Sequence, residues 1–428
     1  MTNTDVGVMA TTQAPFERRI AERTPTKQPG RSRNRNADQA RSARPDIAIL
    51  VYDLRASGVV LNALRIARAA LQANLRTELW VMNDLGPMGR DLPAELHVRR
   101  LQQGQAGQHR ALSSVKGIPA LAATLRTVRP RVLFSAGNHV HAFAVAGHRL
   151  ARVRDMKLIG RVSNALAATA PRKRSGLPGK ILRSIAIVWE RLQFRAMDQL
   201  VAVSHELGSD LVTYGKVDSR AVTIIPNGVD AGWIADQAAE PLDHPWFAPG
   251  APPVVLAVGR LSRQKNFDQL IRAFAILRQK QPARLVIIGH GQNKDRDALQ
   301  ALASTLGVDA DVWFTGYQAN PYRFMARARL FAMTSLWEGG SNVLIEALAC
   351  GLPIVATACP TGIREVLDGL PDGRLVTIGD AKATAQAMAE LLTRPHEPLP
   401  SSMTLRDYQL SVCLGRYQGL LHTAAVPA

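Results

Sequence analysis

Residues 330–357 read LFAMTSLWEGGSNVLIEALACGLPIVAT. Leu330–Met333 is an apolar run of strand length. A loop, SLWEGGS, follows it and leads into a mostly apolar stretch, Asn342–Cys350, that reads as a helix. Pro353–Ala356 then reads as a second strand. Strand, loop, helix and strand in succession is the repeating unit of a parallel sheet.

The same order extends in both directions. Downstream of Pro226-Asn227-Gly228, strands are expected at Val254–Val258, Arg284–Gly289, Val312–Thr315, Leu330–Met333 and Pro353–Ala356, with helices between them. Upstream, strands are expected at Asp46–Tyr52, Glu78–Met82, Val132–Ser135, Lys157–Val162, Gln199–Ser204 and Val222–Pro226. Helices are expected at Leu61–Leu75, at Val140–Val153 and at Glu206–Tyr214. Further helices are expected at 381–392 and 404–421. The fold class is therefore α/β, with two doubly wound parallel sheets in tandem. Ligands of such sheets bind beyond the carboxyl ends of the strands, in a cleft between the two units. The expected domains are residues 46–225 and 226–400, with PNGVD at 226–230 and RPHEPLP at 394–400 as crossing points. Residues 1–45 hold nine basic and four acidic residues and lack an apolar period, so they read as a disordered basic arm.

Composition narrows the function. With 46% apolar residues in 428, the chain buries a real core, which excludes wholesale disorder. It shows no uncharged apolar stretch long enough to cross a membrane and no secretory h-region. Cys350, Cys359 and Cys413 are scattered and read as reduced thiols of a cytosolic protein. The net charge of +19 is one-sided: residues 1–225 carry 35 Lys/Arg against 16 Asp/Glu, and residues 226–428 carry 18 of each. An excess confined to one half suggests an anionic partner there, although a solvated basic surface gives the same count.

Candidate chemistry sits in the loops at strand ends. GRLSRQKN places Arg260 and Lys265 between a strand and a helix start, where two cations beside free helix amides suit a diphosphate. Taken alone, this is equally a solvated turn. GHG at 289–291 is a weak glycine signal and reads as a tight turn. In SLWEGGSNVLIE, Gly339 and Gly340 permit close approach of backbone amides to a ligand, and Ser341 or Asn342 can cap the helix. Glu346 lies about one turn into that helix, where a carboxylate can hold a ribose diol. Glu338 and Glu346 are also what ordinary acids near a helix N-terminus look like.

The conjunction decides between these readings. Arg260 and Lys265, then Glu338 and Glu346, stand with GRLSRQKN, EGGSNVLIEALACGLPIVAT, IPNGVD (225–230) and CPTGIREVL (359–367). This set resembles glycosyltransferase family 4, over roughly residues 46–421 and most densely over 254–367. The resemblance implies the GT-B fold, two facing Rossmann-like domains, with the C-terminal helix completing the first. It implies that Arg260 and Lys265 bind the donor diphosphate and stabilise it as leaving group. Glu346 would hold the ribose. Glu338, with the amides of Gly339, Gly340, Ser341, Asn342 and Val343, would contact the donor sugar and its phosphates. Such enzymes need no metal and generally retain anomeric configuration; no cofactor is expected, and no acidic pair stands at a suitable strand end to hold a metal. The negative charge that grows on a departing diphosphate is what fixed cations and helix amides stabilise.

The N-terminal half matches less tightly. Ser57-Gly58-Val59 resembles the family's acceptor loop, with one glycine where two are common. FSAGNHVHAF puts Asn138, His139 and His141 at a strand end, and by resemblance a histidine there contacts the transferred sugar; His139, nearest the strand, is preferred. Asn164 also ends a strand and is expected to line the cleft with Ser57 and Gly58 on the acceptor side.

Residues 152–195 hold eleven basic and two acidic residues, and Ile181, Leu182, Ile185, Val188, Trp189 and Leu192 mark one apolar helix face beside Lys180 and the RKR at 172–174. That face either packs into its domain or docks on an anionic membrane. The expected partners are a nucleoside-diphosphate sugar, a glycan or lipid-linked acceptor and an anionic membrane surface, for a cytoplasmic enzyme peripheral on the inner face of the plasma membrane. Two other readings stay open: a GT-B epimerase or phosphorylase, and a nucleic-acid-binding protein driven by charge. With 5% aromatic residues the second lacks stacking platforms, so no nucleic acid is expected.

Overall fold

The structure is a computed structural model that describes residues 44–55, 57–83, 86–89, 92–101, 110–167, 169, 176–394 and 405–426. The basic arm, apart from Arg44 and Pro45, lies outside the described residues, as do the RKR at 172–174 and the stretch 395–404.

The first unit holds strands β1 (Ile47–Val51), β2 (Thr77–Val81), β3 (His97–Arg100), β4 (Val132–Ser135), β5 (Lys157–Val162), β6 (Gln199–Ala202) and β7 (Val222–Ile224). Its helices are α1 (Gly58–Gln72), α2 (Arg110–Val128), α3 (Asn138–Ala151), α4 (Gly176–Phe194) and α5 (His205–Thr213). The strand order is β3-β2-β1-β4-β5-β6-β7, parallel throughout. The sequence IAILV explains the centre of this sheet: all five side chains of β1 are buried, as helices on both faces require. Burying each large aliphatic side chain there stabilises the fold by about 1.5–3 kcal/mol.

The second unit opens with α6 (Ala231–Ala238) and continues as β8 (Val254–Val258), α7 (Phe267–Arg278), β9 (Arg284–Ile288), α8 (Asn293–Thr305) and β10 (Val312–Gly316). It proceeds through α9 (Tyr322–Met325), β11 (Leu330–Met333), α10 (Asn342–Ala349), β12 (Ile354–Thr357), α11 (Ile363–Leu367), β13 (Gly373–Val376) and α12 (Ala381–Thr393). Its strands run β10-β9-β8-β11-β12-β13, again parallel. The final helix, α13 (Leu410–Ala425), returns to the first unit, where Cys413, Tyr417, Leu421 and Ala425 pack against apolar residues of α1, β1 and β4.

Strand order reverses between β1 and β4 in the first sheet and between β8 and β11 in the second. These are the positions at which such sheets open a ligand crevice. All but two of the site residues singled out in the sequence lie in the loops or helix starts beyond β1, β4, β8 and β11; the others, Asn164 and Glu346, lie beyond β5 and one turn into α10.

The structure corrects several expectations. Helix α1 starts at Gly58 rather than Leu61, so Gly58 and Val59 are helical and not loop: the Ser57 hydroxyl accepts from the Val60 amide and starts the helix there. The last helix begins at Leu410 rather than 404. Arg406–Tyr408 forms a separate 3-10 turn, and backbone bonds from Val229 N to Tyr408 O (2.8 Å) and from Leu410 N to Val229 O (2.9 Å) hold Gln409 extended between that turn and the helix. Strands β3 and β13 and helices α2 and α6 were not foreseen. HVRR and GRLV are short, half-exposed edge strands, and α2 carries Pro119 in its interior.

Candidate active site

The loop after β8 folds back on itself. A Cβ on Gly259 would meet the Lys265 side chain at 2.8 Å, so the glycine leaves the room through which the lysine crosses the loop. Lys265 Nζ reaches Glu338 Oε1 at 2.6 Å, and both side chains are largely buried. The Ser335 hydroxyl donates to the same carboxylate oxygen, and the Thr361 hydroxyl to the Glu338 carbonyl. Gln264 ties the two loops together: its side chain donates to Trp337 O (2.9 Å), and its carbonyl accepts from Leu336 N (2.8 Å). The loops after β8 and β11 thus form one stitched unit. Arg260, in contrast, is exposed, so the two expected cations differ: Lys265 is held by a carboxylate and Arg260 faces solvent.

Helix α10 starts differently from the expectation. Neither Ser341 nor Asn342 caps it: Ser341 makes no side-chain cap bond, and its hydroxyl is buried without a partner among the described residues. Asn342 instead accepts from Asn227 Nδ2 at 2.7 Å. Among the described residues, the amides of Gly339, Gly340, Ser341, Asn342 and Val343 donate to no protein acceptor. Successive amides without a protein acceptor at a helix N-terminus are the kind of donors that attract an anion.

The two glycines also serve the contact between the units. A Cβ on Gly339 would overlap the carbonyl oxygen of Ser163, and Gly340 (φ +143°) abuts Val203 and Asn227. Asn227 is the centre of this contact. It accepts from Arg161, whose Nε donates to the Tyr417 hydroxyl at 3.1 Å, and it donates to Gly340 O at 2.9 Å. Glu206 and Glu365 clasp each other's helix starts from opposite sides: Glu365 accepts from the amides of His205 (2.9 Å) and Glu206, and Glu206 accepts from Gly362 N (2.9 Å). The sequence reading assigned no role to Asn227, Arg161, Glu206 or Glu365. Asn227 lay in plain view within IPNGVD, but its two-sided bonding depends on tertiary contacts.

Glu346 does not join the Lys265–Glu338 pair. It sits further along α10, where the Tyr322 hydroxyl bonds to it and the Arg65 guanidinium of α1 faces it. Burial pushes its carboxyl above the usual range, and Arg65 and Tyr322 oppose that shift. Arg65 Nη1 also donates to Gly228 O at 3.3 Å.

On the first sheet, the starts of α1 and α3 meet: a Cβ on Gly137 would touch Val59 at 2.8 Å. Gly58 lies next to the Asn342 side chain, so the start of α10 joins them. His139 is exposed at the start of α3, with its ring edge-on to Tyr52 at 6.3 Å between centroids. His141 is buried and bonds Ser135 Oγ through Nδ1 at 2.7 Å. Burial lowers its pKa to about 3, so it is a neutral core residue. Asn164 is exposed beside Gly339. Beyond β9 and β10, His290 and the exposed Tyr317 place their rings edge to face at 6.0 Å, a pair the sequence reading missed.

Residues 56–233 match the family described as Glycosyltransferase Family 4, and residues 252–394 match Glycosyl transferases group 1. The chain belongs to the family-4-type glycosyltransferases, and its fold is GT-B. It is similar to the N-acetylgalactosamine-N,N'-diacetylbacillosaminyl-diphospho-undecaprenol 4-alpha-N-acetylgalactosaminyltransferase of Campylobacter jejuni, with 36% identity over 43% of this chain and 47% of that protein. The D-inositol 3-phosphate glycosyltransferase of Salinispora tropica is 28% identical over 79% of this chain and 74% of that one. The matches to the most similar curated relatives span about half of their length. Among solved structures, Anabaena HepE in complex with UDP and glucose superposes with a TM-score of 0.72 at 18% identity, over 89% of this chain and 100% of that one.

Proposed function

We propose that the chain moves a hexose-type sugar from a nucleoside-diphosphate sugar to a glycan or lipid-linked acceptor, with retention at the anomeric carbon and without a metal. The observation that carries this reading is the run of five amides from Gly339 to Val343 without a protein acceptor, next to the Lys265–Glu338 pair and with Asn342 beside Gly58 of α1. A diphosphate is the ligand that such a run suits. Relatives support it: one is named for a diphospho-undecaprenol acceptor, and structural neighbours hold UDP or UDP-glucose.

In this reading Arg260 and Lys265 take the diphosphate, and Glu338 orients Lys265 and meets the sugar. Glu346 takes the ribose hydroxyls, and the His290–Tyr317 pair offers a stacking face for the base. His139 contacts the transferred sugar, while Ser57, Gly58 and Asn164 border the acceptor. The bond from the anomeric carbon to the diphosphate oxygen breaks, and its electron pair stays on the diphosphate. The acceptor oxygen bonds to the same carbon from the same face, and its proton passes to the diphosphate. The enzyme works on the inner face of the plasma membrane, where a lipid-linked acceptor is presented.

Thermal-shift screening against uridine, guanosine and adenosine diphosphate sugars tests the donor reading. One class should raise the Tm, and Glu346→Ala should abolish that rise. An intact rise in Glu346→Ala refutes the ribose assignment, and no rise with any donor refutes the donor site.

A further inference from the structure

Helix α4 carries its apolar residues on its outer side. Ile181, Leu182, Ile185, Val188, Trp189 and Leu192 recur at helical spacing and form one stripe, and each is 51–60% exposed. None of residues 179–192 is buried, and the helix enters the core only at Gln193 and Phe194. Helix α1 shows the ordinary arrangement, with Val60, Ala63, Leu64, Ile66, Ala67 and Ala70 all buried. The outward stripe of α4 is held by polar contacts. Glu190 accepts from Ala167 N at 2.8 Å, Arg191 Nε donates to Tyr214 O at 2.6 Å, and Arg195 Nε donates to Lys216 O at 3.1 Å. The Arg191 bond brings the end of α5 alongside, where Val212 and Tyr214 are exposed as well.

Among the described residues, nothing of the first unit buries this face, so the packing alternative does not hold there. Soluble monomers rarely expose a contiguous apolar face of this kind unless it binds something. Its setting identifies the occupant. Lys180, Arg183 and Arg191 lie on the same helix and Arg195 directly follows it; the helix's one acidic residue is Glu190, and residues 152–195 carry eleven basic residues against two acidic. A second copy of the chain would bring the same cations against these. An anionic bilayer instead offers apolar depth for the stripe and negative headgroups for the cations.

We propose that α4 docks the protein on an anionic lipid bilayer, with Ile185, Val188 and Trp189 at the acyl boundary and the flanking cations among the headgroups. This deepens the transferase reading and rests on it for the acceptor. Ala167, three residues beyond Asn164, donates its amide to Glu190 of α4, so a docked α4 holds this side of the molecule near the membrane surface.

Flotation of the full chain with phosphatidylcholine vesicles, with and without phosphatidylglycerol, tests this. The protein should float with the anionic vesicles and not with the neutral ones. Ile185→Glu combined with Trp189→Glu should reduce flotation about tenfold or more, and Lys180→Glu should reduce it less. The donor-induced thermal shift should be unchanged in these variants, which shows that the fold and donor site survive. Equal recovery from both vesicle types overturns the proposal, as does undiminished flotation of the double variant. A dimer in light scattering that the double variant dissociates, without vesicle binding, assigns the face to a second copy and also overturns it. Flotation that persists when no donor shifts the wild-type Tm leaves this proposal standing and sinks the transferase reading instead.

Discussion

The two strand-order reversals face the same cleft but are built differently. At the β8/β11 reversal, Lys265, Ser335 and Thr361 bind Glu338, and Gln264 binds Leu336 and Trp337, so the two loops are tied together. At the β1/β4 reversal, Ser57, Gly58 and His139 are exposed, whereas Lys265 and Glu338 are largely buried. In the proposed reading the diphosphate is the constant part of the donor, and a rigid cradle suits it. An acceptor differs from one enzyme to the next, and an open surface accommodates that difference.

This contrast breaks most sharply at Lys265. Lys265→Ala should lower kcat/KM about 100-fold to 1000-fold, the usual loss when one fixed stabiliser of developing charge is removed. The same change leaves Glu338 buried without its cation, so a fall in Tm should accompany it. Initial rates and a thermal melt on one preparation check both. On the open side, His139→Ala should reduce turnover about 10-fold to 100-fold, the worth of a hydrogen bond to a polarised group, and leave nucleoside diphosphate affinity unchanged. A matching loss of nucleotide affinity would place His139 in the donor cradle instead.

Gly339→Ala separates the loop's structural duty from its chemical one. The added Cβ meets the Ser163 carbonyl of the first unit, so the loop must shift, at a cost of about 1–3 kcal/mol read as a lower denaturation midpoint. The smallest effect is expected at Ser57→Ala. Loss of its cap to Val60 should cost about 1 kcal/mol by chemical denaturation, with donor binding untouched.

The sequence made the repeating unit legible because its signals are local. Runs such as VVLAV and LFAM are buried strands in any parallel sheet, and both were located residue for residue. Edge strands were not legible: HVRR has no apolar alternation to betray it. The glycines of EGGS were visible, but one of their reasons was not. Gly339 is backed by Ser163, and no local pattern reports a contact across 176 positions of chain. Glu346 shows the same limit, since Arg65 and Tyr322 reach it only through the fold. Its raised carboxyl pKa adds a consequence: donor affinity should fall on acidification at a higher pH than an ordinary glutamate would dictate. The apolar face of α4 was read correctly as a face, but its outward direction is a tertiary fact.

The central claim is that the free amides from Gly339 to Val343, with Lys265, form a diphosphate cradle. Calorimetric titration with a nucleoside diphosphate and the matching monophosphate, on the wild type and on Lys265→Ala, tests it directly. The account predicts that the wild type binds the diphosphate at least about tenfold more tightly and that Lys265→Ala erases most of this preference. Equal affinity for the two nucleotides, or a preference that survives Lys265→Ala, would contradict it.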